Sequence, residues 1–110
     1  MGEELKGPFH DDYRLHLLLG NIYSCRDKNR DAIQTFKHVI NLNPRCAEAY
    51  NNLGLIYRKL GDFEKASKAL DKALLLDGKK PDIIYNQGNL FKARGNSVMA
   101  IESYKKVLEL

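Results

Sequence analysis

Asn52 and Asn86 stand 34 residues apart, and Asn21, Asn51 and Asn89 add three more carboxamides to the same stretches of chain. A side-chain amide both donates and accepts hydrogen bonds. It can therefore pair with a peptide group and read main chain rather than side chain. Cations lie nearby at Arg58, Lys59 and Lys92, apolar groups at Leu17, Leu18, Leu55 and Tyr85, and acids at Glu48 and Asp82. These groups are suited to holding a ligand and supply no reaction of their own. His10, His16 and His38 are scattered along the chain, and His10 with Asp11 and Asp12 sits in a terminal segment that makes a poor metal site. Cys25 beside Ser24 has no histidine partner in sequence, so it does not read as an activated nucleophile. There is no glycine-rich phosphate loop. The expectation is a chain with no catalytic residue, no metal, no cofactor and no small-molecule substrate.

The remaining charge is mixed. Lys65, Lys68, Lys72, Lys79, Lys80, Lys105 and Lys106 are interrupted by Glu64, Asp71, Asp77 and Glu102, as on a solvated surface. That pattern argues against nucleic acid, whose binding rests on clustered cations. A net charge of +4 suits an acidic partner without requiring one. With 44% hydrophobic residues, 8 glycines and 3 prolines, the chain does not read as disordered. No run approaches the roughly 18 apolar residues of a membrane span. The start, MGEELKGPFHDDY, lacks an apolar signal core, which favours the cytoplasm. Cys25 and Cys46 fall at opposite ends of the first repeat described below and read as free thiols.

The elements that position these residues repeat. Gly20, Gly54 and Gly88 recur every 34 residues. Tyr23, Tyr57 and Phe91 keep the same step, as do Ala32, Ala66 and Ala100, then Phe36, Leu70 and Tyr104. Each unit reads as two helices. Leu15, Leu18, Leu19, Ile22 and Tyr23 follow the three-four spacing of one helical face. After the polar break Asp27–Arg30 the pattern resumes at Ala32 and ends at Asn43-Pro44, because proline cannot continue the ladder. The second unit predicts helices near 48–60 and 64–77 around Gly61-Asp62. The third predicts helices near 82–94 and 98–110 around Gly95-Asn96. Residues 1–12 form a leader, and the repeats run 13–46, 47–80 and 81–110.

The first unit reads His16-x2-Leu19-Gly20-x2-Tyr23, then Ala32-x3-Phe36 and Pro44. The second reads Tyr50-x2-Leu53-Gly54-x2-Tyr57, then Ala66-x3-Leu70, with Gly78 where a proline is usual. The third reads Ile84-x2-Gln87-Gly88-x2-Phe91, then Ala100-x3-Tyr104. Residues 13–110 thus resemble the tetratricopeptide repeat, a 34-residue helix-turn-helix with the pattern W-x2-L-G-x2-Y, A-x3-F, P. The resemblance implies an all-α, right-handed α-solenoid of three repeats and about six helices, and a protein-interaction function. Gly20, Gly54 and Gly88, with Ala32, Ala66 and Ala100, would let paired helices approach closely. The first helices would line a concave groove.

By period and by this resemblance, Asn21, Asn51, Asn52, Leu55, Arg58, Lys59, Tyr85, Asn86, Asn89 and Lys92 face that groove, where an extended segment of a partner protein would lie. Asn52 and Asn86 together resemble the asparagine ladder of the O-linked N-acetylglucosamine transferase superhelix, whose amides grip a peptide backbone. The carboxylate clamp by which some family members hold chaperone C-termini is matched only at Asn21 and Asn52. Its cationic positions are Leu17, Asp82 and Asn86 here, so a terminal carboxylate would lack its charge-assisted partners. The last helix carries Met99, Ile101, Tyr104, Val107 and Leu108 with no polar capping helix after it. A second expectation is therefore that the chain associates with another copy through helix 98–110 or forms part of a longer repeat protein.

Overall fold

A computed structural model of the chain describes residues 7–110. Among them six α-helices occur and no strand: α1 (Tyr13–Cys25), α2 (Asn29–Leu42), α3 (Ala47–Lys59), α4 (Phe63–Leu76), α5 (Pro81–Ala93) and α6 (Ser97–Glu109). They fall into two compact units, one ending at Pro44 and one running Arg45–Leu110. Of the leader, residues 1–6 lie outside the described residues. From the second repeat on, each helix begins one residue before the position its apolar pattern predicts. The starts are set by what precedes the pattern: Asp62 and Asn96 cap α4 and α6, and Pro81 takes the first turn of α5.

The first unit is α1 packed on α2. Asp12 caps α1, its carboxylate accepting from the Arg14 backbone N–H at 3.0 Å and from the Arg14 guanidinium at 3.1 Å. The side-chain hydrogen bond from Arg14 holds that carboxyl below its ordinary range. The helices meet at Gly20, where a β-carbon would lie 2.6 Å from the Phe36 ring. Ala32, Phe36 and Val39 of α2 are buried. On α1 only Gly20 is buried; Leu15, Leu18, Leu19 and Ile22 are exposed. The three-four spacing does mark one apolar stripe, but α2 packs against the glycine and leaves the stripe open.

The second unit holds the pairs α3–α4 and α5–α6, with α5 also packed on α4 and α3. The close approach recurs. A β-carbon on Gly54 would sit 2.6 Å from Leu70 Cγ, and one on Gly88 would sit 2.7 Å from the Tyr104 ring. Ala66, Leu70 and Leu90 form a buried cluster, with Tyr57 and Phe63 packed against it.

One turn joins the two helices of every repeat. Lys28, Asp62 and Asn96 donate their backbone N–H groups to Tyr23, Tyr57 and Phe91, at 2.9, 2.9 and 2.8 Å. Asp27, Gly61 and Gly95 donate to the carbonyls three residues back. This is the pattern that closes a helix on a left-handed residue. Gly61 and Gly95 have φ of 83° and 80°, and Asp27 adopts φ 60° without being a glycine. The next residue starts the following helix: Asp62 accepts from Lys65 N and Asn96 from Met99 N, both at 3.2 Å. Lys28 makes no side-chain cap.

Candidate functional site

Nine of the ten groove candidates lie in the second unit, on α3 and α5, which pack together. The tenth, Asn21, is half-buried on α1 of the first unit. A hydrogen bond ties the two helices across their asparagines: the Asn86 amide donates to Asn51 Oδ1 at 2.9 Å. Asn51 is 7% exposed, so this carboxamide faces α5 rather than solvent. That bond uses one N–H of the Asn86 carboxamide, whose side chain also carries a second N–H and a carbonyl oxygen. Asn52 and Leu55 are half-buried on α3.

Tyr85 is exposed on α5, its ring 6.0 Å from that of Tyr104. The Tyr104 hydroxyl in turn donates to Asn89 Oδ1 at 2.5 Å, so Asn89 braces the α5–α6 pair. Arg58, Lys59 and Lys92 gather at the C-terminal ends of α3 and α5, where cations complement the helix dipole. Arg58 is half-buried, and its Nε is buried with no hydrogen-bond partner among the described residues. A buried unpaired donor of this kind costs about 1–3 kcal/mol. A carbonyl or carboxylate of a ligand would satisfy it.

Two features were not visible in the sequence. His10, His16 and His38 are gathered in the first unit, with ring centroids 4.6–6.4 Å apart. His16 Nε2 donates to the His10 carbonyl at 2.7 Å, and the His16 and His38 rings meet edge to face. No group of three His, Cys, Asp or Glu among the described residues is arranged to hold a metal. In the second unit Leu74, Ile84, Gln87, Phe91 and Met99 line a groove of about 350 Å³ between α4, α5 and α6. Among the described residues the buried Gln87 Oε1 atom has no hydrogen-bond partner. The Gln87 amide nitrogen donates to Asp71 Oδ1 at 3.5 Å, and because Asp71, Gln87 and Met99 lie on separate helices no local pattern signals their meeting. Cys25 is exposed, Cys46 is buried, and both are free. No helix among the described residues is long and apolar enough to cross a membrane.

Comparisons with known proteins agree with the repeat geometry. A TPR repeat model matches residues 20–61, and tetratricopeptide repeat models match 47–80 and 81–110. The chain is 30% identical over 100 residues to human Protein O-mannosyl-transferase TMTC1, covering 87% of this chain and 11% of that protein. The crystal structure of MamA superposes with a TM-score of 0.79 at 28% identity, over 88% of this chain and 57% of that one. The second TPR of Spaghetti (RPAP3), bound to an HSP90 peptide, superposes with a TM-score of 0.82 at 24% identity, over 89% and 91% of the two chains. The chain thus spans only a small part of the curated relative it matches. With its three 34-residue units, its helix pairs closed on Gly20, Gly54 and Gly88, and family matches from residue 20 to its last residue, this chain belongs to the tetratricopeptide repeat family.

Proposed function

We propose that this chain is a protein-interaction scaffold whose second unit binds an extended peptide segment along the face shared by α3 and α5. Two observations carry the reading: the pairing of Asn86 with Asn51, and the unsatisfied Arg58 Nε about two turns further along α3. Asn86 is anchored through one N–H and keeps an acceptor and a donor for a peptide group. Arg58 offers a donor that a carbonyl or carboxylate would satisfy. Exposed Tyr85 supplies a rigid apolar surface at little entropic cost, and Lys59 and Lys92 favour an acidic segment. The family relationship supports the class of function, and the peptide seated on the Spaghetti TPR is of the same kind as the ligand proposed here.

The test begins with selection of peptides from a random displayed library on the immobilised chain, followed by titration of a winning peptide. Tyr85→Ala and Arg58→Ala should each weaken it about tenfold, the equivalent of about 1.4 kcal/mol. Lys92→Glu should act mainly on association rate and its salt dependence. Lys68→Ala, on the exposed side of α4, should bind normally. If Lys68→Ala lost affinity while Tyr85→Ala and Arg58→Ala did not, the α3–α5 face would be the wrong surface.

A further inference from the structure

The groove between α4, α5 and α6 sits where four residues differ in kind from their counterparts one repeat earlier. Ile84 stands 34 residues after Tyr50, Gln87 after Leu53, Ser103 after Ala69 and Gly78 after Pro44. All four line the groove. The smaller Ile84 and the bare Gly78 leave about 350 Å³ of space, and Gln87 and Ser103 set polar groups against apolar walls of Leu74, Phe91 and Met99. Gln87 is poorly satisfied. Its amide nitrogen reaches Asp71 Oδ1 at 3.5 Å, the outer limit of a hydrogen bond, and its buried Oε1 has no hydrogen-bond partner among the described residues. The last torsion of a glutamine is soft, so this carboxamide can turn its oxygen toward a donor in the groove. The Phe91 ring and the Met99 thioether are wall groups that favour an aromatic occupant. At the rim Glu102 and Lys106, one turn apart on α6, offer an acceptor and a donor. The main-chain N–H and C=O that flank a side chain complement that pair of charges.

We propose that this groove takes a tryptophan side chain of a partner protein. An indole carries one N–H donor and no acceptor, which matches a lone oxygen among apolar walls. A buried tryptophan usually finds a partner for that N–H. Phenylalanine has no donor, and tyrosine brings lone pairs that need a donor of their own. The groove is not the face that a further repeat would cover. In the second repeat α5 packs on Ala66 and Leu70 and leaves Lys68 and Lys72, the counterparts of Glu102 and Lys106, exposed. On α5 the groove residues Ile84, Gln87 and Phe91 keep a three-four spacing, on a different side of the helix from Asn86, Asn89 and Lys92. The site is therefore distinct from the α3–α5 surface of the peptide reading, and the two proposals fail separately.

The experiment is NMR titration of the full chain with N-acetyltryptophanamide, which presents one indole between two peptide groups. Saturable shifts should appear at the Met99 methyl and at the Gln87 side-chain amide. N-acetylphenylalaninamide and free indole should each bind about fivefold more weakly or worse, the first for want of the N–H and the second for want of main chain. Gln87→Leu, which restores the residue type of Leu53, should keep the helix content and bind the two amides equally. Ile84→Tyr should fill the groove and weaken N-acetyltryptophanamide by about tenfold or more. Tyr85→Ala, on the peptide face, should leave it unchanged. Absence of saturable shifts at Met99 overturns the proposal. Equal binding of the tryptophan and phenylalanine amides by wild type also overturns it, since water would then satisfy the Gln87 oxygen. Indole binding as tightly as N-acetyltryptophanamide overturns the choice of partner, because the groove would then be a site for a free small molecule.

Discussion

Lys28 stands where Asp62 and Asn96 stand in the other repeats, and it leaves α2 without the side-chain cap that α4 and α6 have. An N-cap aspartate supplies an acceptor to an otherwise unpaired N–H and a favourable charge at the helix start, together about 1 kcal/mol. Lys28→Asp should therefore stabilise the chain and raise the melting temperature by about 4 °C or more. An unchanged or lower value would mean that the α2 start is satisfied by other means. The glycines divide by mechanism. Gly61 has φ 83° and open space where a β-carbon would be, so Gly61→Ala should cost about 1 kcal/mol through the backbone alone. Gly54 is ordinary helix with Leu70 in the way, so Gly54→Leu should cost about 1–3 kcal/mol by overpacking. A Gly54→Leu chain melting like wild type would refute close approach as that glycine's role.

At the scale of elements, α3 and α5 are tied by a part-buried carboxamide pair, which alters what an asparagine substitution reports. Asn86→Ala would leave Asn51 Oδ1 buried and unpaired, a loss of about 1–3 kcal/mol of stability before any ligand is considered. Replacing both Asn51 and Asn86 with leucine should be milder than either single change, because no polar atom is then orphaned. Thermal melts of the two single variants and the double one measure that coupling, and additive losses would contradict it. Helices α3 to α6 were legible in the sequence to within a residue, whereas α2 starts at Asn29, inside the polar break Asp27–Arg30. Glycine, proline and small polar residues mark their ends, and three aligned copies make each mark threefold. The direction of Asn51 was not legible. Neighbouring residues on a helix point about 100° apart. The asparagines at 51 and 52 are alike in type, and only the position of α5 decides which one is buried. The exposure of Leu15, Leu18, Leu19 and Ile22 was hidden for a related reason. Periodicity shows that a stripe exists, but the neighbour that covers it is a tertiary fact.

For the whole molecule, repeat chains are stabilised by the sum of unit and neighbour terms, so their parts open at different free energies. The departures from the repeat pattern collect in one place. The first unit has an aspartate at the left-handed turn position, no side-chain cap on α2, and an α1 whose only buried residue is a glycine. Helix α4 has the opposite features: a capped start, and Ala66, Ala69, Leu70 and Ala73 buried. Native-state hydrogen exchange should therefore show α1 opening at a free energy lower than α4 by on the order of 2 kcal/mol. The sign of its pH dependence follows from Asp12. Arg14 lowers the folded pKa of that carboxyl, so the cap contributes above the unfolded value of about 3.9 and is lost as pH falls through the lowered folded value. Protection of the first α1 amides should thus decline in acid ahead of the core of α4. Lys28→Asp should raise protection in α2 and in α1 packed on it, while leaving α5 and α6 unchanged. Equal protection across all six helices would show that the chain opens as one cooperative body, and that the weak positions of the first repeat are absorbed by its neighbours.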